Sequence, residues 1–412
     1  MSAADSGTKG VWDASVPDAW PKPPDLMTVT SLAEIEECPR RWSLRSADYP
    51  TLWANRGYPS KLHIAALEGN IVHHLLEILT GALVEAGCRN VTDEASVAVM
   101  RKLGGWTKLV ANSTAQVVSQ YQSNPRVSKH IASALVRLQS LAPEIRRRAQ
   151  ELLLKVPLSQ VRAGFRNSGS KRHVHPTSGV YPEFDLRCPS IGWRGRADLL
   201  VLTPDSCEII DFKTGAHDPT HAFQLLVYAL LWYRDVEANP GARVVTKLTL
   251  AYRDAEESIS APTTEELAGI ERELVARRNA ANGIVSALPP EARPAPSNCR
   301  WCEVRHLCDA YWNNGILEQT AGETTNGMAT CDVQLLITAR HGERSWDGIV
   351  ELSGFANAGA KILVRTSQIS YELREGQHLR ILDGQLLKPI DSSNEPFVLT
   401  AGDFSEVFEV HA

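Results

Sequence analysis

The sequence predicts an α/β protein that ends in a small all-β domain, and three observations predict it. Of its 412 residues, 43% are apolar and 22% charged, close to the globular averages of roughly 45–50% and 25%, and the length suits two or three domains with a sizeable core. The hydrophobic repeat is helical up to about residue 153 and alternating beyond about 155, where three strand-like segments precede another helix. From residue 331 onward, short alternating segments and turn signals replace helical pattern altogether. This composition excludes a wholly disordered, collagen-like or disulfide-scaffold chain. No window approaches roughly 18 consecutive apolar residues, so neither a membrane-spanning helix nor a membrane partner is expected. Met1-Ser2-Ala3-Ala4-Asp5 carries neither a basic nor an apolar leader, which predicts a cytoplasmic protein. In such a reducing compartment, clustered cysteines read as metal or redox sites rather than disulfides.

Residues 1–27 show no period and read as an extended lead-in around Pro21-Lys22-Pro23-Pro24. A helix is expected near Ser31, with Ser31 as N-cap and Glu34 completing a capping box; Cys38-Pro39 closes or kinks it. Ile64, Leu67, Ile71, Leu75 and Ile78 give a helix over about 61–86, and further helical pattern covers 94–103, 113–121 and 128–153. Strands follow at 179–186, 195–202 and 207–213, then a helix over 222–235, a strand at 247–252 and a long helix over 263–287. Gly322–Gly327 reads as a linker, and five short strands are expected at 333–338, 348–352, 360–365, 378–382 and 397–399, with Glu375-Gly376 and Asp383-Gly384 as turns between them. Five strands in so short a stretch suggest a small barrel.

Net charge is −5, which argues against a general basic coat for nucleic acid. The acidity is concentrated after residue 320, where 7 basic and 13 acidic residues lie, leaving the longer N-terminal part near neutral and able to carry a local basic channel. Arg40, Arg41, Arg146, Arg147, Arg148 and Arg196 are candidates for it, although charge runs on helices are ordinarily solvated faces.

Polar residues interrupt two consecutive strands that are otherwise apolar. Asp198 breaks Ala197–Leu202, and Asp211-Phe212-Lys213 ends the next strand, with Asp211 and Lys213 on one face. If the two strands form a hairpin through Thr203–Ser206, the carboxylates converge beside the lysine. Two such carboxylates repel unless a cation lies between them. A hard divalent ion such as Mg²⁺ or Mn²⁺ takes oxygen ligands and keeps waters, one of which can act as nucleophile. Gln224 and Tyr228, spaced i, i+4 on the following helix, can position the lysine or the phosphate, and His73 offers an imidazole ligand. Each of these residues alone is more simply a surface or core residue; their ordered combination is what points to chemistry.

The series His73, Glu183, Gly195-Arg196-Ala197-Asp198, Asp211-Phe212-Lys213-Thr214-Gly215 and Gln224 to Tyr228 resembles the RecB-like branch of the PD-(D/E)XK nuclease superfamily. The resemblance implies a restriction-endonuclease-like mixed central sheet flanked by helices, within a nuclease domain over 28–320 that carries a helical insertion at about 78–155. It implies metal-dependent hydrolysis of DNA, with His73, Asp198, Asp211 and the Phe212 carbonyl as metal ligands. Lys213 becomes the catalytic lysine, Gln224 and Tyr228 the downstream motif, and Glu183 a further acidic catalytic position.

Cys299, Cys302 and Cys308 lie within ten residues as Cys-x₂-Cys-x₅-Cys, a non-random cluster that lacks a fourth ligand. Cys38, in Cys38-Pro39-Arg40-Arg41-Trp42, resembles the upstream cysteine of iron–sulfur RecB-like nucleases, a layout shared by AddB-type subunits and CRISPR-adaptation exonucleases. The resemblance implies a [4Fe–4S] cluster on Cys38, Cys299, Cys302 and Cys308 that staples both ends of the nuclease domain. Zinc is the alternative for four thiolates, with His306 able to replace one cysteine. Cys88, Cys188, Cys207 and Cys331 read as buried small hydrophobes.

The C-terminal domain, 328–412, reads as OB-like. Trp346, Phe355 and Tyr371 are candidates to stack on bases, and Arg340, Arg344, Lys361 and Arg365 to meet phosphates; the acidity of the segment favours equally a docking role for a helicase or another protein. The expected function is therefore a metal-dependent deoxyribonuclease, an exonuclease on single-stranded or end-containing DNA. The alternatives are a non-catalytic DNA-binding scaffold of a repair or defence complex and a zinc-stapled enzyme acting on RNA. Repair, CRISPR adaptation, phage replication and antiviral defence all remain open as settings.

Overall fold

The computed structural model describes residues 11–13, 15–53, 56–128, 130–158, 175–313, 315–320, 328–366, 373–387, 396–402 and 405–410. The elements run β1 (Val11–Asp13), α1 (Val29–Glu37), α2 (Pro39–Ser46), α3 (Pro50–Trp53), α4 (Ile64–Glu85), α5 (Glu94–Lys102), α6 (Gly105–Ser119) and α7 (Ile131–Leu153). Then follow β2 (Gly179–Cys188), β3 (Trp193–Leu202), β4 (Cys207–Lys213), α8 (Thr220–Arg234), β5 (Lys247–Tyr252), β6 (Glu256–Ile259) and α9 (Thr264–Ser286). The chain ends with α10 (Pro296–Cys299), α11 (Asp309–Asn313), α12 (Ile316–Thr320), β7 (Met328–Gly342), β8 (Ser345–Ser353), β9 (Lys361–Thr366), β10 (His378–Leu387), β11 (Phe397–Ala401) and β12 (Glu406–Glu409). None of the described helices is long and apolar enough to cross a membrane. The expected linker at 322–327 lies outside the described residues.

Two compact units divide the chain: Pro23–Ala33 with Pro59–Gly283, and Met1–Lys22 with Glu34–Tyr58 and Ile284–Ala412. The first is built on a five-stranded sheet in the order β2-β3-β4-β5-β6, with β4 and β5 parallel and the other neighbours antiparallel. It is the mixed sheet that the resemblance implies. Strands β3 and β4 form the hairpin through Thr203 and Ser206, closed by a 2.7 Å bond between their hydroxyls. Helix α4 is amphipathic along Leu67, Ile71, Leu75 and Leu79, all buried with Ile145 and Leu152 of α7 and with Val180, Leu199, Ile210 and Phe212 of the sheet. Because Ile210 and Phe212 enter that core, alternation sends Asp211 and Lys213 to the other face, where α8 lies. The expected cap of α1 shifts by three residues. Thr28 Oγ1 accepts from the Ser31 N–H at 3.0 Å, so Thr28 caps the helix and Ser31 sits in its first turn. The helix ends at Glu37; Cys38 is extended, with φ −156° and ψ 101°, and Pro39 opens α2.

In the second unit, β10 pairs antiparallel with β7 along its whole length. On its other side β12 covers its first half and β11 its second. With β7–β8 and β8–β9 antiparallel and β9–β11 parallel, strands β7, β8, β9, β11 and β10 close into a five-stranded barrel. Val333, Leu335, Val350, Val364, Leu379 and Leu399 fill it. Asp383-Gly384 is not the turn that its sequence suggests. Asp383 has φ +55° and the pair forms an irregularity inside β10, which lets one strand serve two neighbours. Three strands escape sequence reading: β6, β12, and β1 in the lead-in, which pairs with β12 in parallel through Val11↔Val407.

The same unit contains all four clustered cysteines and a buried ionic hub beside them. Arg305, 5% exposed, donates from Nε to Asp332 at 2.6 Å and from Nη2 to Asp383 at 2.8 Å. Tyr311 adds a 2.7 Å bond to Asp332, and the Asp383 N–H another at 2.8 Å. Burial works against the charge of Arg305, and Asp332 and Asp383 more than offset it, so the guanidinium stays ionised. The Cys-x₅-Cys loop is thereby tied to β7 and β10.

Candidate active site

Strand β4, its outgoing loop and α8 form one wall of an open cleft of about 580 Å³, lined by His73, Asp198, Asp211, Phe212, Lys213, Gln224 and Tyr228 among others. Asp198 accepts from the Phe212 N–H at 2.6 Å, which fixes the end of the β3–β4 hairpin. Its other oxygen lies 3.4 Å from His73 Nδ1 of α4. Lys213 Nζ stands 2.5 Å from Asp211 Oδ2 and donates to Gln224 Oε1 at 2.8 Å. The Gln224 amide in turn donates to Tyr228 at 2.5 Å. Two glycines make these approaches possible. A Cβ on Gly195 would lie 2.6 Å from the Tyr228 ring, and one on Gly69 would lie 3.0 Å from Thr214 Oγ1.

Glu183 also belongs to the cluster. Its backbone adopts φ +50° in mid-strand, a conformation that costs an ordinary side chain on the order of 1–3 kcal/mol. Ligand atoms of His73, Glu183 and Asp198 all lie within 4.8 Å of one another, the one such trio among the described residues. Burial, with Asp198 and Glu77 nearby, pushes the Glu183 carboxyl up to about 7. Burial and Asp198 likewise raise Asp211, and Lys213 only partly offsets them. Burial lowers His73, but its bond to Asp198 and the neighbouring carboxylates leave it raised. Asp211 Oδ2 is buried, and the partner it meets is the Lys213 ammonium at 2.5 Å. An imidazole and an excess of crowded carboxylates, His73 with Glu183, Asp198 and Asp211, fit a hard divalent cation.

These shifts predict a pH dependence in the metal-free protein. Between about pH 4.5 and 7 the folded form keeps a proton on Glu183 that the unfolded chain has released. Stability therefore falls as pH rises through that window, by up to about 3 kcal/mol for this group. The raised His73 acts in the same direction. Thermal melts of metal-stripped protein at pH 5 and 7.5 should show the fall, and Glu183→Gln should flatten it. An equal slope in the variant would contradict this account.

The four clustered cysteines Cys38, Cys299, Cys302 and Cys308 line a second, narrow cavity of about 20 Å³. Burial pushes the Cys302 thiol up to about 12 and raises Cys299 and Cys308, so a metal must displace protons to bind there. No three of these sulfurs lie within 4.8 Å of one another, whereas tetrahedral zinc at about 2.3 Å per bond needs sulfurs about 3.8 Å apart. The thiolate set itself accepts either zinc or an iron–sulfur cluster. His306 does not line this cavity: it is fully buried, bonded to Tyr58 at 2.6 Å and stacked on Phe408 at 3.8 Å. Cys88, Cys188, Cys207 and Cys331 are buried, as expected.

Several expected nucleic-acid contacts are otherwise engaged. Trp346 is buried and donates to the Leu373 carbonyl at 3.2 Å, so it packs the barrel and presents no face to a base. Phe355 packs edge-on against Phe397, and Tyr371 lies outside the described residues. Arg147 pairs with Glu144 and Glu151, and Arg148 with Glu144 and Glu68, which makes this run a salt-bridged helix face. Arg146 lies over Trp106, Arg41 pairs with Glu37, and Arg40 bonds to the Pro290 carbonyl. Arg196 pairs with Glu183 at 3.5 Å and stays 64% exposed in the cleft.

The fold and the site define a metal-dependent hydrolase of phosphodiester bonds. A family model matches residues 26–309, and the chain belongs to the PD-(D/E)XK nuclease superfamily. A comparison with curated proteins finds no match. Among solved structures, the chain is similar to SSO0001, at 20% identity over 47% of this chain and 80% of that one, with TM-score 0.24. It is similar also to a murine DNA-binding protein bound with double-stranded DNA, at 9% identity over 59% of this chain and 100% of that one, with TM-score 0.15. Likenesses this weak carry no argument about either fold or substrate.

Proposed function

We propose that the protein is a Mg²⁺- or Mn²⁺-dependent deoxyribonuclease, an exonuclease acting on single-stranded or end-containing DNA. The observation that carries the reading is the convergence of Asp198, Asp211, Lys213 and Gln224 on one open cleft. His73, Glu183, Asp198, Asp211 and the Phe212 carbonyl would hold the divalent ion. When bound, such an ion polarises the phosphoryl oxygen and lowers the pKa of a coordinated water. Lys213, clamped between Asp211 and Gln224, directs its ammonium at the charge that develops on the phosphoryl oxygens. Tyr228 holds Gln224, and Gln224 holds the lysine, so the ammonium is placed before substrate arrives. Digestion of end-labelled single- and double-stranded DNA with Mn²⁺, with free and blocked ends, tests the proposal. Cleavage that needs a free end and is abolished by chelation is expected; no cleavage of any DNA in Mn²⁺ would refute it.

Cys38, Cys299, Cys302 and Cys308 hold a [4Fe–4S] cluster in this reading, which places the chain in the iron–sulfur branch with the AddB-type and CRISPR-adaptation nucleases. Support comes from the Cys-x₂-Cys-x₅-Cys spacing and from Cys38, distant in sequence, lining one cavity with the other three cysteines. Anaerobically purified protein should be brown, with about four irons per chain on that cluster. A colourless preparation containing stoichiometric zinc would overturn the assignment.

A further inference from the structure

Two imidazoles stand in the cleft wall with no part in the chemistry above. His217 lies in the loop after β4 and His221 in the first turn of α8, and both meet Tyr252. The His217 ring stacks on Tyr252 with centroids 5.1 Å apart and planes 21° from parallel. Its Nε2 bonds to Glu257 of β6 at 2.6 Å. His221 Nδ1 bonds to the Tyr252 hydroxyl at 2.8 Å. Tyr252 is buried, and the parallel pairing of β4 and β5 makes it the register partner of Lys213. The brace behind His217 thus stands one strand spacing, about 4.8 Å, from the strand position of the lysine.

His217 is nonetheless 61% exposed. One face of its ring rests on Tyr252, its edge is held by Glu257, and its other face is open in the cleft. A planar ring held from behind and at its edge has little rotamer freedom left to lose when a second ring lies on it. Purines and pyrimidines stack on imidazole as on other aromatic side chains. Within a duplex both faces of a base are already stacked, so only an unpaired or frayed base can reach such a platform. Arg196, exposed in the same cleft, offers a guanidinium to a phosphate of the same strand.

We propose that His217 is a stacking platform for an unpaired nucleobase next to the scissile phosphate, and that it gives the cleft a preference for single-stranded over duplex DNA. The inference rests on the nuclease reading, and the test separates the two. Hydrolysis of bis(p-nitrophenyl) phosphate by the full-length protein in Mn²⁺ asks only whether the cleft cuts a diester; failure there removes the nuclease reading and this inference with it. Given that activity, His217→Ala is expected to raise KM for a single-stranded oligonucleotide about 5–20-fold, with a smaller change in kcat. His217→Phe, which keeps a stacking face and loses the bond to Glu257, should restore KM to within about threefold. In a Lys213→Ala background that does not cut, 2-aminopurine scanned along the oligonucleotide should be quenched at one position with His217 or Phe and unquenched with Ala. Failure of Phe to rescue, or quenching that does not depend on residue 217, would overturn the proposal and leave His217 as a brace for its loop.

Discussion

Replacing Lys213 with alanine is expected to lower phosphodiester cleavage by about a thousandfold or more, roughly 4 kcal/mol of transition-state stabilisation. The size of the effect follows from preorganisation. A free lysine side chain spreads over many rotamers, whereas this one is held 2.5 Å from Asp211 and 2.8 Å from Gln224 before substrate binds. Arginine should not rescue it, because a planar fork cannot replace a compact ammonium between two such partners. Gln224→Ala should cost less, about ten- to a hundredfold, since Asp211 still holds the ammonium. Removing the cation beside Asp211 should leave Mn²⁺ affinity equal or higher, which titration calorimetry can measure. Lys213→Ala protein that folds, binds Mn²⁺ and retains a tenth of wild-type cleavage would show that the lysine is not the catalytic group.

The second large effect is on stability. Asp332→Ala should destabilise the unit that carries the cysteines by about 3–5 kcal/mol, the cost of stranding a buried charge. Asp332 takes bonds from Arg305, Tyr311 and the Asp383 N–H, and its loss leaves Arg305 only Asp383 and the Cys302 carbonyl. Asp383 is 41% exposed, so its help to the guanidinium is screened by solvent. A fall in melting temperature on the order of 10 °C follows for a unit of this size. Because Arg305 lies between Cys302 and Cys308, the proposed cluster's iron content should fall with it. Asp347→Ala, at an exposed pair with His341, serves as the control and should change stability by less than about 0.5 kcal/mol. An Asp332→Ala variant melting within a degree of wild type would mean that the hub is dispensable.

Several features were legible because a few consecutive residues carry them. Asp211-Phe212-Lys213 at the end of a strand, and Gln224 four residues before Tyr228 on one helix face, needed only the two- and 3.6-residue periods. The extents of β4 and β5 were read to the residue, and that of α9 to within one at each end. Glu183 shows the limit of such reading. An acidic residue in an alternating segment looks solvent-facing, and nothing local announces the left-handed backbone that carries it to His73 and Asp198. Asp383-Gly384 carries a strong turn signature yet lies within a strand, because the neighbours on either side of β10 come from three other segments. Trp346 looked suited to stacking on a base, and the barrel buried it.

By itself the amino-acid order determined the class: α/β with a terminal barrel, a carboxylate–carboxylate–lysine series, and clustered thiols. Those follow from composition, period and spacing, which are properties of short stretches of chain. Only the tertiary structure decided that a left-handed backbone brings Glu183 to His73 and Asp198, that His217 stands braced on Tyr252 beside the lysine, and that Arg305 ties the cysteine loop to the barrel. The physical reason is that burial, strand register and the charge next to a charge are set by segments far apart in the chain, and they take definite values only once those segments have packed.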